Sequence, residues 1–157
     1  MLIKIIGAGI VIISAMLCAE RRLTEEKKKI DHLDAFISII SHIKNQIDLY
    51  SMPLEKIFAG IDSDKLRRIG LNEKPTRFSD LISSDGICLE DDTRSVLCEF
   101  SSSIGKGYRE MQIKLCESTL SELILKKKSL ADIFPSRRKT VLALYLGIGG
   151  AAVIAFI

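Results

Sequence analysis

Two apolar segments, one at each end of the sequence, limit what this chain can fold into more than any other feature. Residues 2–19 contain one charged side chain, Lys4, and residues 140–157 contain none. Each segment has 18 residues, and 18 residues of α-helix rise about 27 Å, close to the thickness of the hydrocarbon core of a bilayer. The sequence therefore predicts a transmembrane helix at 1–19, another at 140–157, and a separate domain at 20–139.

Basic residues at the inner edges of the apolar segments predict how the chain lies in a membrane. Arg21 and Arg22 follow the first segment, and Arg137, Arg138 and Lys139 precede the second. Such flanks favour the cytoplasmic side, so we expect a cell-membrane protein with its middle domain in the cytoplasm and both termini outside. The net charge is only +3, which does not point to nucleic acid as a partner.

The first apolar segment has three possible interpretations. An uncleaved anchor is favoured, with Lys4 extending its ammonium group to the headgroups. A lipoprotein signal ending at Cys18 is possible, although Leu17 stands where a small residue is expected. A cleaved signal peptide is disfavoured because Arg21 and Arg22 follow so closely.

The middle domain is predicted to be all-α. From Arg21 to Tyr50 there is no proline or glycine, and a helix from about residue 2 to 50 is expected. Its apolar side chains recur at helical spacing, at Leu33, Phe36, Ile40, Ile43, Ile47 and Tyr50. A second long helix is expected from Tyr108 to about Phe134, with a joint or kink at Pro135. Its stripe is Met111, Leu115, Leu120, Leu123, Leu130 and Phe134.

Short helices are expected between the two long ones. Ser51 could cap a helix that holds Leu54, Ile57, Phe58 and Ile61. The stretches "SDKLRRIG" and "RFSDLISS" have helical patterns, residues 91–104 form another amphipathic helix, and turn signals stand at Gly70, Pro75 and Gly86. The whole is predicted to be a membrane-anchored antiparallel helical hairpin or bundle with its short helices at the distal end.

The sequence of the middle domain offers no complete motif for catalysis or metal binding. The stretch "SIGKGYRE" lacks the first glycine and the hydroxyl residue of a phosphate-binding loop, so a turn between helices is expected. His32 and His42 are ten residues apart on one helix, about 15 Å along its axis, and cannot share a metal ion. We therefore predict no catalytic, cofactor-binding or metal-binding residues, and no enzymatic activity.

The remaining reactive or charged groups have structural interpretations. The four cysteines, Cys18, Cys88, Cys98 and Cys116, contain no C-x-x-C pair and are expected to be reduced thiols. The acidic run 90–92 is typical of a helix start. The basic run 126–128 indicates a solvated face, or alternatively a contact for an acidic partner.

Several short motifs, taken in order, resemble one known family. A basic pair follows the first apolar segment in "AMLCAERRL". The later motif residues are Ile47, Pro53 and Leu54 in "QIDLYSMPLEKI", then Ile104, Gly105 and Gln112, and near the end Lys139, Leu146, Gly147 and Gly150. This order resembles the stage III sporulation protein AB family of endospore-forming bacteria. The resemblance covers the length of the chain, although Gln46 stands where the family usually has an acidic residue.

The resemblance implies a function in endospore development. The family is similar to the platform protein of type II secretion systems, so the chain is expected to be a non-enzymatic platform subunit of the channel complex between mother cell and forespore. Its implied partners are the other stage III proteins, including a secretion-type ATPase, stage III sporulation protein AA. Two alternatives stay open: a membrane-anchored sensor or regulator, and an enzyme that uses Cys88, Cys98 or Cys116.

Overall fold

The computed structural model describes residues 2–71, 73–84 and 86–156 and contains six α-helices and no β-strand within them. The helices are α1 (Leu2–Tyr50), α2 (Leu54–Ala59), α3 (Ser63–Arg68), α4 (Phe78–Ile82), α5 (Asp91–Ser103) and α6 (Arg109–Phe156). The predicted all-α class is confirmed. So are the long first helix and the short helices between the two long ones.

The chain divides into two compact units. The larger unit comprises Lys28–Ser129, and the smaller one combines the residues up to Lys27 with those from Leu130 onward. In the larger unit, Lys44 of α1 pairs with Glu117 of α6 at 2.7 Å, and Asp34, further back on α1, pairs with Lys127, further along α6. The two helices therefore run antiparallel there, as predicted.

The core of the larger unit is built on the apolar stripe of α1. Leu33, Phe36, Ile40 and Ile43 are at most 1% exposed, and Ile47 is 5% exposed. Burying one such side chain contributes about 1.5–3 kcal/mol. The short helices cover the stripe with buried aliphatic and aromatic side chains, among them Ile57, Phe58, Ile69, Leu81 and Leu97.

Three phenylalanines join α1, α4 and α5. The ring centroids of Phe36 and Phe78 are 6.2 Å apart, and those of Phe78 and Phe100 are 4.8 Å apart in an edge-to-face arrangement. All three side chains are at most 2% exposed. Edge-to-face packing adds about 0.5–1.5 kcal/mol to the burial of such a pair, so Phe78 fixes the position of the five-residue helix α4.

Two predictions about the end of α1 and the start of α2 are wrong. Tyr50 was expected in the core but is 66% exposed, because the covered face of α1 ends at Ile47. Ser51 does not cap α2: Pro53 holds the N-cap position without a side-chain hydrogen bond, and Ser51 adopts φ +47°. Its N–H donates to the carbonyl of Ile47 at 3.2 Å, which terminates α1 as a left-handed C-cap residue does.

The second long helix also differs from its prediction. The most buried side chains of α6 in the larger unit are Cys116, Thr119 and Leu123, at i, i+3 and i+7, while Met111 is 63% exposed. The predicted stripe is right at Leu123 but misses Cys116 and Thr119, because a thiol and a threonine carry a weak apolar signal. The helix also continues beyond Phe134, since Pro135 lies inside α6 and removes only one backbone N–H.

The smaller unit contains the two apolar segments. Within it, Ala19 is 1% exposed, and Arg137 Nη1 lies 3.4 Å from Glu26 Oε2. No helix among the described residues offers a stretch long and apolar enough to cross a membrane. The side chains of residues 1–9, 11, 12, 149 and 152–157 lie outside the described part, and so does the expected position of Lys4.

Ile40 provides a test of the core. Ile40→Asp places a carboxylate at a fully buried position and should lower the free energy of unfolding by roughly 4 kcal/mol or more, because no partner compensates the desolvated charge. Urea unfolding of the full chain in detergent, followed by circular dichroism, measures the loss. Asn45→Asp, at an exposed position of the same helix, is the matched control. Equal stability of the two variants would contradict the assigned core.

Candidate docking surface

The end of α1 is tied to the beginning of α6 by Arg109. Its Nε donates to the carbonyl of Ile47 at 3.2 Å, and its Nη2 donates to the Asp48 carboxylate at 2.8 Å and also to the Asp48 carbonyl. The last carbonyls of a helix lack partners within that helix. Arg109 donates to the Asp48 carbonyl and adds a second donor to the Ile47 carbonyl, which also accepts from the Ser51 N–H. One side chain thus connects the two helix ends.

A groove lies where α1 ends, α2 begins and the α5–α6 turn passes. We call it the Gly105 groove. Its volume is about 480 Å³, and it is lined by Ile47, Ser51, Met52, Pro53, Leu54, Glu55, Gly105, Arg109 and Gln112. The lining combines apolar side chains with four polar or charged residues, Ser51, Glu55, Arg109 and Gln112. Such a mixed lining can receive both apolar and polar side chains of another molecule.

Gly105 sets the depth of this groove. Its φ is +85°, a left-handed conformation that side-chain-bearing residues rarely adopt, and a Cβ added there would lie 2.8 Å from Leu54 Cδ1. The positive φ therefore favours glycine at this turn, and a larger residue would also displace the end of the Leu54 side chain. The stretch "SIGKGYRE" is thus the turn between helices that its sequence predicts.

The fold brings together motif residues that are far apart in the sequence. Ile47, Pro53 and Leu54 come from the end of α1 and the start of α2, and Gly105 and Gln112 come from around the start of α6. All five line the Gly105 groove. Five of the six motif residues that carry the resemblance in the middle domain therefore meet at one place on the surface, while the sixth, Ile104, is 9% exposed and does not line this groove.

Exposed apolar side chains flank the groove along the chain. Leu49 and Tyr50, at the end of α1, are 72% and 66% exposed, and Tyr108 and Met111, around the start of α6, are 87% and 63% exposed. A lone exposed apolar residue is common, whereas several within a few residues of groove-lining positions favour an interaction site. The arrangement suits binding of a protein segment.

The histidines have structural positions. His32 is 7% exposed, and its Nδ1 accepts a hydrogen bond from the backbone N–H of Cys88 at 3.0 Å, which connects α1 to the segment before α5. Burial lowers the pKa of both His32 and His42. Among the described residues, no three His, Cys, Asp or Glu side chains come together in a way that could hold a metal ion.

The cysteines differ in their access to solvent. All four are free thiols; Cys18 and Cys98 are exposed, Cys88 is half-buried and Cys116 is buried. Burial raises the pKa of Cys116 to about 11. The nucleophilic form of cysteine is the thiolate, so Cys116 is poorly suited to nucleophilic chemistry and serves as a packed side chain of the α6 seam.

The charged runs make contacts within the larger unit. Glu90 holds the N-cap position of α5 and Asp91 and Asp92 lie in its first turn, as the sequence predicts. Lys126 pairs with Asp92, and the hydrogen bond from Lys126 lowers the pKa of that carboxyl. Lys127 pairs with Asp34. Two of the three lysines in the run 126–128 therefore pair with aspartates of this same chain.

The groove could not be predicted from the sequence, because its walls come from three separate segments. The sequence contains only a partial indication of the groove: Pro53 precedes Leu54, and Gly105 follows Ile104.

Searches against family models, curated proteins and solved structures found no match for this chain.

Gly105→Ala tests the close approach of the α5–α6 turn to α2. The left-handed backbone should cost about 1–2 kcal/mol with alanine, and Leu54 must move from the added methyl group. Gly60→Ala is the matched control, since Gly60 has φ −88° and its nearest neighbour would be at 3.4 Å. Urea unfolding should separate the two variants, and equal midpoints would show that Gly105 is not required.

The buried His32 predicts a pH dependence of stability. Because the folded state holds its pKa below 6.5, unfolding takes up a proton as the pH falls below 6.5, and stability decreases there. His42 acts in the same direction. Each histidine contributes at most about 1.4 kcal/mol per pH unit. Urea midpoints at successive pH values should therefore fall less steeply for His32→Gln than for the natural chain; identical slopes would contradict this role.

Proposed function

We propose that this protein is a non-enzymatic platform subunit of a channel complex that endospore-forming bacteria build between mother cell and forespore. The observation that carries the proposal is the meeting of Ile47, Pro53, Leu54, Gly105 and Gln112 in the Gly105 groove. These residues carry the resemblance to the stage III sporulation protein AB family. A shared binding surface is a physical reason for such separated residues to form one pattern.

The proposed arrangement has two membrane spans, at 1–19 and 140–157, in the mother-cell membrane. It is supported by the 18-residue apolar segments and by the basic residues at their inner edges. The domain at 20–139 then lies in the mother-cell cytoplasm, on the side from which an ATPase acts. In this role the protein needs no cofactor, and its binding partners are proteins and lipid.

The proposed partners are other stage III sporulation proteins, with the AA ATPase as the one that docks on the cytoplasmic domain. Leu49, Tyr50, Tyr108 and Met111 support this assignment because they present apolar surface beside the groove. Tyrosine supplies a large contact area with little loss of side-chain entropy and is common where protein partners bind. A platform of this kind holds its partner in place and performs no chemistry.

Co-purification tests the proposed function. The tagged full-length protein is crosslinked in sporulating cells of its source organism and extracted from the membrane fraction with detergent. The AA ATPase and further stage III membrane proteins should be recovered with it. Ile40→Asp, which should unfold the domain, is the control for specific recovery. The proposed function would be contradicted if the natural chain were recovered without these proteins, or if it were absent from the membrane fraction.

A further inference from the structure

A second groove continues from the first one. We call it the Phe78 groove. Its volume is about 720 Å³, and its apolar lining includes Phe58, Phe78 and Ile104, which are between 2% and 9% exposed. Leu54 and Glu55 line both grooves. The two grooves therefore adjoin each other at the start of α2.

The floor of the Phe78 groove is fixed by the core beneath it. Phe78 packs edge-to-face on Phe100 and also contacts Phe36 of α1. The backbone at the start of α4 is held by Asp80, whose carboxylate accepts hydrogen bonds from the N–H groups of Thr76 and Arg77 at 3.0 and 2.9 Å. A surface fixed in this way needs little ordering when a partner binds, which favours affinity.

The charges along the Phe78 groove are unbalanced. Its lining includes the exposed cations Arg77 and Lys106, and among the described residues that line it Glu55 alone carries a carboxylate. No carboxylate of the described residues lies within salt-bridge distance of either cation. Lys126 and Lys127 differ in this respect, because each pairs with an aspartate of this chain.

We propose that the Gly105 and Phe78 grooves together bind one segment of the partner ATPase, and that this segment carries apolar side chains flanked by carboxylates. The apolar side chains lie on Phe58, Phe78 and Leu54, while the carboxylates pair with Arg77 and Lys106. Charges at an interface rim steer the encounter and select the partner. This inference rests on the proposed function and adds to it the place and the chemistry of docking.

A second copy of this chain fits the surface less well. A twofold contact places the same patch of both copies face to face. Each patch carries the two cations Arg77 and Lys106 against one lining glutamate, so two such patches placed face to face would both bring an excess of positive charge. An acidic partner gains from these cations, whereas a second copy is repelled by them.

The test measures binding of the purified ATPase to the full-length protein in lipid nanodiscs. Arg77→Glu/Lys106→Glu reverses the two rim cations. Arg94→Glu/Lys128→Glu is the matched control, since it changes the net charge equally at exposed positions outside both grooves. Thermal unfolding checks that each variant folds. If the first variant melts earlier, Arg77→Gln/Lys106→Gln takes its place.

We expect the rim variant to weaken ATPase binding at least about tenfold, the control to change it less than about twofold, and added salt to weaken binding by the natural chain. Equal binding by all variants would overturn the docking site and leave the proposed function standing. No binding by the natural chain would overturn both. Self-association of the natural chain that the rim variant abolishes would assign the surface to a second copy and overturn the inference.

Discussion

The antiparallel packing of α1 against α6 is the interaction on which the larger unit depends. The buried stripe from Leu33 to Ile47 meets a seam of Cys116, Thr119 and Leu123. Ion pairs at the margins, Lys44 with Glu117 and Asp34 with Lys127, hold the register. Partly exposed ion pairs contribute little to stability by themselves. The apolar seam therefore supplies most of the free energy, and the charges select the alignment.

The candidate docking surface is a consequence of that alignment. Because α1 and α6 run antiparallel, the end of one lies beside the start of the other, and Arg109 can reach the last carbonyls of α1. The same juxtaposition places the α5–α6 turn against α2, where Gly105 permits the approach to Leu54. A groove between helix ends thus follows from the register of two long helices.

Much of the fold could be predicted from the sequence, because periodicity reports which face of a helix is buried. The pattern from Leu33 to Ile47 identified the α1 stripe. The same pattern wrongly placed Tyr50 in the core, because periodicity does not show how far along α1 the other helices cover it. It also failed on α6, where a thiol and a threonine fill two seam positions. The groove could not be predicted at all, because the contact of Gly105 with Leu54 depends on tertiary structure.

Crosslinking from Tyr108 shows whether this end of the larger unit receives a protein partner. A photoreactive phenylalanine analogue replaces Tyr108, which is 87% exposed, in the full-length protein within sporulating cells. If the AA ATPase docks at this end, Tyr108 should form an adduct with it, and the exposed Ser129 in the same unit should form none. No ATPase adduct from Tyr108, or equal adducts from both positions, would contradict this docking.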